Sequence, residues 1–163
     1  MTKTVVILAV GNPSRGDDAL GPLLLEQLAA EQEQRSDWGN IELLTDFQLQ
    51  IEHAVDLEGR TLALFVDASV SCPAPYQLTR LQPSRDTSYT SHALSPTAVL
   101  HVYQLINQTP PPPAFQLAIR GERFELGESL SAAAETHLAA AIAFARQLLA
   151  RPDVETWMDW AAI

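Results

Sequence analysis

The chain is short of cysteine, of positive charge and of long apolar runs, and each shortage excludes something. One cysteine in 163 residues cannot close an internal disulfide, which points to a reducing compartment, the cytoplasm. Ten Lys and Arg stand against 20 Asp and Glu, a net charge of −10. Such a surface suits neither nucleic acid nor an anionic membrane, because phosphate contacts need clustered Lys and Arg. No segment approaches the roughly 20 consecutive apolar residues that a spanning helix requires. The apolar stretch near the start ends in Gly11-Asn12-Pro13, a tight loop rather than a small-residue cleavage site. What remains is 47% hydrophobic residues arranged in blocks with only 18% charged. That is enough for one domain with a real core.

Val5–Val10 is an unbroken, β-branched run that suits a central strand buried on both faces. A helical pattern follows, with Leu20, Leu23, Leu24, Leu28 and Ala29 on one face and Pro22 in the first turn. Ile41–Thr45 reads as a second strand, Ile51–Leu57 as a brief helix closed by Gly59, and Leu62–Val66 as a third strand ending at Asp67. Tyr76–Leu81 alternates polar and apolar residues, as a half-exposed edge strand does. Ser95-Pro96 opens a helix to about Asn107, four prolines form a spacer, and Ala114–Arg120 is a fifth strand. Leu130–Leu149 is a long Ala/Leu-rich helix capped by Ser129 or Ser131. The order predicts an α/β fold: one three-layer domain over 1–150, with a twisted, mostly parallel five-stranded sheet and helices on both faces. The tail, 151–163, carries Trp157 and Trp160, and its pattern does not decide whether it docks.

Functional groups in such sheets gather at the carboxyl ends of the strands. Two acidic positions fall there, Asp17-Asp18 after the first strand and Asp67 after the third. The first loop is not a phosphate cradle, since two carboxylates stand where a P-loop has Lys and a hydroxyl. Adjacent carboxylates at a helix start are either caps or one cap and one ligand, and Asp67 is either a turn cap or a site residue. Among the histidines, His92 sits in a loop between hydroxyl residues, whereas His53, His101 and His137 fall within helices and suit packed or solvated roles. Two carboxylates and an imidazole make a set suited to Ni, Zn, Mn or Fe(II). No G-x-S-x-G elbow or H-E-x-x-H helix is present, and Cys72 has no basic neighbour to activate it.

The run Ala9-Val10-Gly11-Asn12-Pro13-Ser14-Arg15-Gly16-Asp17-Asp18-Ala19-Leu20-Gly21-Pro22 resembles the G-x-G-N-x-x-x-x-D-[DE]-x-x-G signature of the [NiFe]-hydrogenase maturation proteases. The later Asp67 and His92 agree in order and spacing, and the likeness runs from about residue 4 to 150. The resemblance implies an endopeptidase that removes a C-terminal extension from the hydrogenase large-subunit precursor after nickel insertion. It implies that Asp18, Asp67 and His92 recognise nickel and take part in cleavage, with the nickel carried by the substrate and no permanently bound metal. A monomer without nucleic-acid or membrane partners is expected. Where many members have a D-G-G-T-like motif, this chain has Asp46-Phe47-Gln48-Leu49-Gln50, so Asp46, Gln48 and Gln50 are the expected substrate-facing residues. That form is similar to the branch serving bidirectional or NAD(P)-linked hydrogenases. Two other readings stay open: a metallo-hydrolase with its own metal, and an assembly factor that grips the precursor without cutting it.

Overall fold

The computed structural model describes residues 4–85 and 94–162. Five strands, β1 (Thr4–Val10), β2 (Asn40–Asp46), β3 (Leu62–Ser69), β4 (Tyr76–Leu81) and β5 (Ala114–Arg120), form one sheet in the order β2-β1-β3-β5-β4. Four helices accompany them: α1 (Leu20–Gln32), α2 (Pro96–Asn107), α3 (Ala132–Ala150) and α4 (Val154–Trp160). All neighbouring strands run parallel except β4, which pairs antiparallel with β5 at the edge, as its alternating pattern predicts. Register places Ile7 beside both Leu43 and Leu64. The solid apolar runs of β1 and β3 therefore lie at the centre, covered on both faces.

Alternation along β1 divides the core. Val5, Ile7 and Ala9 pack with α1, α3 and Trp157 of α4 on one face. Val6, Leu8 and Val10 pack with α2 and the segment Ile51–Leu57 on the other. That segment winds as a 3-10 helix rather than an α-helix. Ser131, not Ser129, caps α3 by accepting the Ala134 N–H at 3.1 Å.

The buried stripe of α1 differs from the expected one. Leu25 is buried with Leu20, Leu24 and Leu28, whereas Leu23 is half-buried and Ala29 exposed. The helix lies over β1 and reaches β2, so its contact face is turned toward Leu43 and away from Leu23.

The C-terminal tail docks. Trp157 is fully buried, meets the Phe115 ring edge-on at 5.4 Å and donates its indole N–H to the carbonyls of Leu148 and Arg151. Beyond α4, the Ala162 N–H reaches the Leu78 carbonyl at 2.7 Å, covering the edge of β4. Among the described residues no helix is long and apolar enough to cross a membrane.

Candidate functional site

Two glycines let the loop after β1 fold tightly against α1. Gly11 has φ +148°, and a Cβ there would run into the Asp18 carbonyl. A Cβ on Gly21 would stand 2.7 Å from the Val10 carbonyl, so only hydrogen permits the close approach of helix and strand. Asn12 makes an Asx turn, its Oδ1 accepting the Ser14 N–H at 2.9 Å. Its own N–H donates to Asp18 Oδ2 at 2.8 Å, which fixes that carboxylate beside the loop.

The adjacent carboxylates have different surroundings. Asp17 is wholly buried and accepts four hydrogen bonds, from the amides of Glu122, Arg123 and Ser131 and the Ser131 hydroxyl. Burial alone pushes its carboxyl up, but the three amides and the hydroxyl outweigh that and hold it below the usual range. Neither aspartate supplies a side-chain cap to α1. Asp17 is instead a latch between the first loop and the segment leading into α3, a role its sequence neighbours give no sign of.

Asp18 lines a cavity of about 440 Å³ at the carboxyl ends of β1 and β3. Asp67 stands on another wall, 49 positions further along the chain. Its Oδ1 accepts the Ala68 N–H at 2.8 Å. Burial, reinforced by the Asp18 charge and opposed by that amide, raises the Asp67 carboxyl to about 7. The strand sequence around it is apolar through Val66, which explains both the burial and the position. Leu8, Val10 and Phe65 form apolar wall, and Leu94-Ser95-Pro96 at the start of α2 closes one side. His92, the third residue expected at this site, lies outside the described residues. Among the described residues no group of three or more His, Cys, Asp or Glu is placed to hold a metal ion.

The segment after β2 forms the remaining wall. Gln48 lines the cavity beside Phe47 and Leu49. Phe47 is 70% exposed and also borders a second groove of about 510 Å³, which Asp46 lines too. Asp46 Oδ2 lies 3.5 Å from His53 Nε2, and Gln50 donates its N–H to His53 Nδ1 at 2.8 Å. Gln50 thus begins the 3-10 turn and lines neither cavity. His137 Nδ1 sits 3.0 Å from the Arg120 carbonyl, and Cys72 is buried.

No protein-family sequence model matches the chain, and no curated protein sequence matches it. Solved structures do match. The hydrogenase maturating endopeptidase HybD from E. coli is 22% identical, with a TM-score of 0.65 over 89% of this chain and 91% of that one. The [NiFe] hydrogenase maturation protease HycI from Thermococcus kodakarensis KOD1 is 18% identical, with a TM-score of 0.67 over 91% and 93%. The hydrogenase 2 maturation peptidase from Thaumarchaeota archaeon SCGC_AB-539-E09 is 20% identical, with a TM-score of 0.63 over 90% and 98%. The class this defines is an α/β fold with an open, mostly parallel sheet. In particular, it is the fold in which those maturation proteases have been solved.

Proposed function

We propose that this protein is an endopeptidase that removes the C-terminal extension of a [NiFe]-hydrogenase large-subunit precursor once nickel has been inserted. One observation carries the reading: Asp18, in the turn after β1, and Asp67, near the end of β3, line one cavity in a fold shared with hydrogenase maturation proteases. The likeness to those structures supports peptide hydrolysis, and the signature Gly11-Asn12…Asp17-Asp18…Gly21 supports the substrate. Residues 1–150 carry this activity and 151–163 are the tail. The net charge of −10 accords with a cytoplasmic monomer that has neither nucleic acid nor membrane as partner.

In this scheme nickel is part of the substrate. Asp18 and Asp67 supply oxygen ligands and His92 a nitrogen ligand to a nickel ion that the precursor already holds. Binding the metal positions the adjoining peptide, whose carbonyl takes up water as the C–N bond breaks and the amine leaves protonated. Asp46, Gln48 and Gln50 form the side that meets the precursor, and their departure from the glycine-rich form bears on which hydrogenase is served.

Mass spectrometry of the precursor, with and without nickel and with and without this protein, tests the reading. Loss of the extension from nickel-loaded precursor alone is expected. Equal processing of nickel-free precursor overturns nickel recognition. Unchanged precursor mass within a stable complex overturns hydrolysis and points to an assembly factor.

A further inference from the structure

The second groove runs along the outer edge of β2. Edge strands present backbone groups with no neighbouring strand, and β2 pairs on one side only, with β1. The direction of its backbone follows from two hydrogen bonds. Asp46 C=O faces β1 and accepts the Gly11 N–H at 3.1 Å. Ile41 C=O faces outward and accepts Gln32 Nε2 at 2.7 Å. Alternation puts the N–H and C=O groups of Leu43 and Thr45 on the outward side with Ile41. Among the described residues nothing pairs with them.

The side chains of Leu43 and Thr45 also line the groove, opposite Pro22, Leu25, Glu26 and Ala29 of α1. Those four stand at helical spacings of three and four, so one stripe of α1 forms the far wall. This is why Ala29 is exposed. Among the described residues the charged side chains on the walls are Glu26 and Asp46, both acidic. Gly11 and Phe47 border this groove and the Asp18–Asp67 cavity alike, so the two adjoin. Gln32 closes the far end of the edge at Ile41, which leaves the free backbone groups on the cavity side.

We propose that the C-terminal segment of the substrate binds here as an added strand. Its backbone pairs with Leu43 and Thr45, its apolar side chains enter the groove, and a basic side chain faces Glu26 and Asp46. Strand addition provides affinity through main-chain hydrogen bonds, while pockets for alternate side chains provide selectivity. Past Phe47 the segment passes into the cavity, where its peptide bond meets the two carboxylates. The inference rests on the peptidase reading and adds to it the conformation and chemistry of the peptide recognised.

The test uses the full-length protein with nickel-loaded precursor. Amide hydrogen exchange is followed in the wild-type protein with labelling pulses shorter than a single turnover, so that the complex is sampled before cleavage with Asp67 in place. The Leu43 and Thr45 amides are expected to slow by at least about tenfold on precursor addition. Ala29→Trp, a helix-compatible substitution that fills the groove, is expected to raise KM about tenfold with kcat within about twofold, and Glu26→Lys to raise KM in the same sense. Exchange at Leu43 and Thr45 that the precursor leaves unchanged overturns the proposal, as does an edge already protected by a second copy in the free protein. Wild-type protein that protects these amides yet leaves the precursor uncut overturns the peptidase reading and leaves strand addition standing.

Discussion

Ser131 binds Asp17 twice, its N–H donating to Oδ1 at 2.8 Å and its hydroxyl to Oδ2 at 2.7 Å, across 114 positions of sequence. The same hydroxyl accepts the Ala134 N–H at the start of α3. One carboxylate therefore ties the loop that carries Asp18 to the helix that backs the sheet.

Asp17→Ala strands the Glu122, Arg123 and Ser131 amides in a buried place. Each unsatisfied buried donor costs about 1–3 kcal/mol, partly relieved here by water entering at the exposed Glu122 and Arg123, so a total loss of about 3 kcal/mol is expected. Urea unfolding of the variant measures it. A loss below about 0.5 kcal/mol would mean that the latch contributes nothing to folding stability.

Asp67 makes stability fall as pH rises. Its folded carboxyl titrates near 7, against about 4 for an aspartate in the unfolded chain, so the folded state holds the extra proton between those pH values. Its contribution is then neutral below the lower value and increasingly destabilising as pH rises toward 7. Asp67→Asn is expected to stabilise the protein at pH 8, by at most about 4 kcal/mol, and to make little difference at pH 3.5. Thermal unfolding of both proteins at the two pH values checks the sign.

Asp18→Ala, Asp67→Ala and His92→Ala are each expected to lower single-turnover cleavage of nickel-loaded precursor on the order of 100-fold or more. Circular dichroism is expected to match the wild type. A variant of the three that cleaves at the wild-type rate removes that residue from the proposed set.

Trp157→Ala removes a fully buried indole, its edge contact with Phe115 and its two hydrogen bonds. Losses of about 3–5 kcal/mol accompany such truncations. Chemical denaturation is expected to show this loss, together with faster proteolysis beyond Arg151.

The strands were legible in the sequence because Val5–Val10 and Leu62–Val66 are short, apolar at every position and bounded by turn residues, which suits a strand buried on both faces. Tyr76–Leu81 revealed its edge position by alternating. Asp18 and Asp67 were nameable because strand ends open into the crevice. The Asp17 latch was not, since its partners lie at 122, 123 and 131 and leave no local pattern. The groove escaped for a similar reason: it depends on how far α1 is turned about its axis, and Leu23 and Leu25 are equally apolar in sequence. The docking of Trp157 is decided by a space beside Phe115 that strand and helix patterns do not reveal.

The sheet has two edges, and they are treated differently. Beside β4 the chain covers its own edge with Ala162. Beside β2, among the described residues, nothing covers Leu43 and Thr45, the kind of edge through which proteins aggregate. The exposed length is short, ended by Gln32 on one side and flanked by Glu26 and Asp46. Two such edges approaching one another bring like charges together on molecules that each carry −10. The acidity that no single site accounts for thus has a colloidal consequence: copies of the protein repel at the place where each would otherwise template the next.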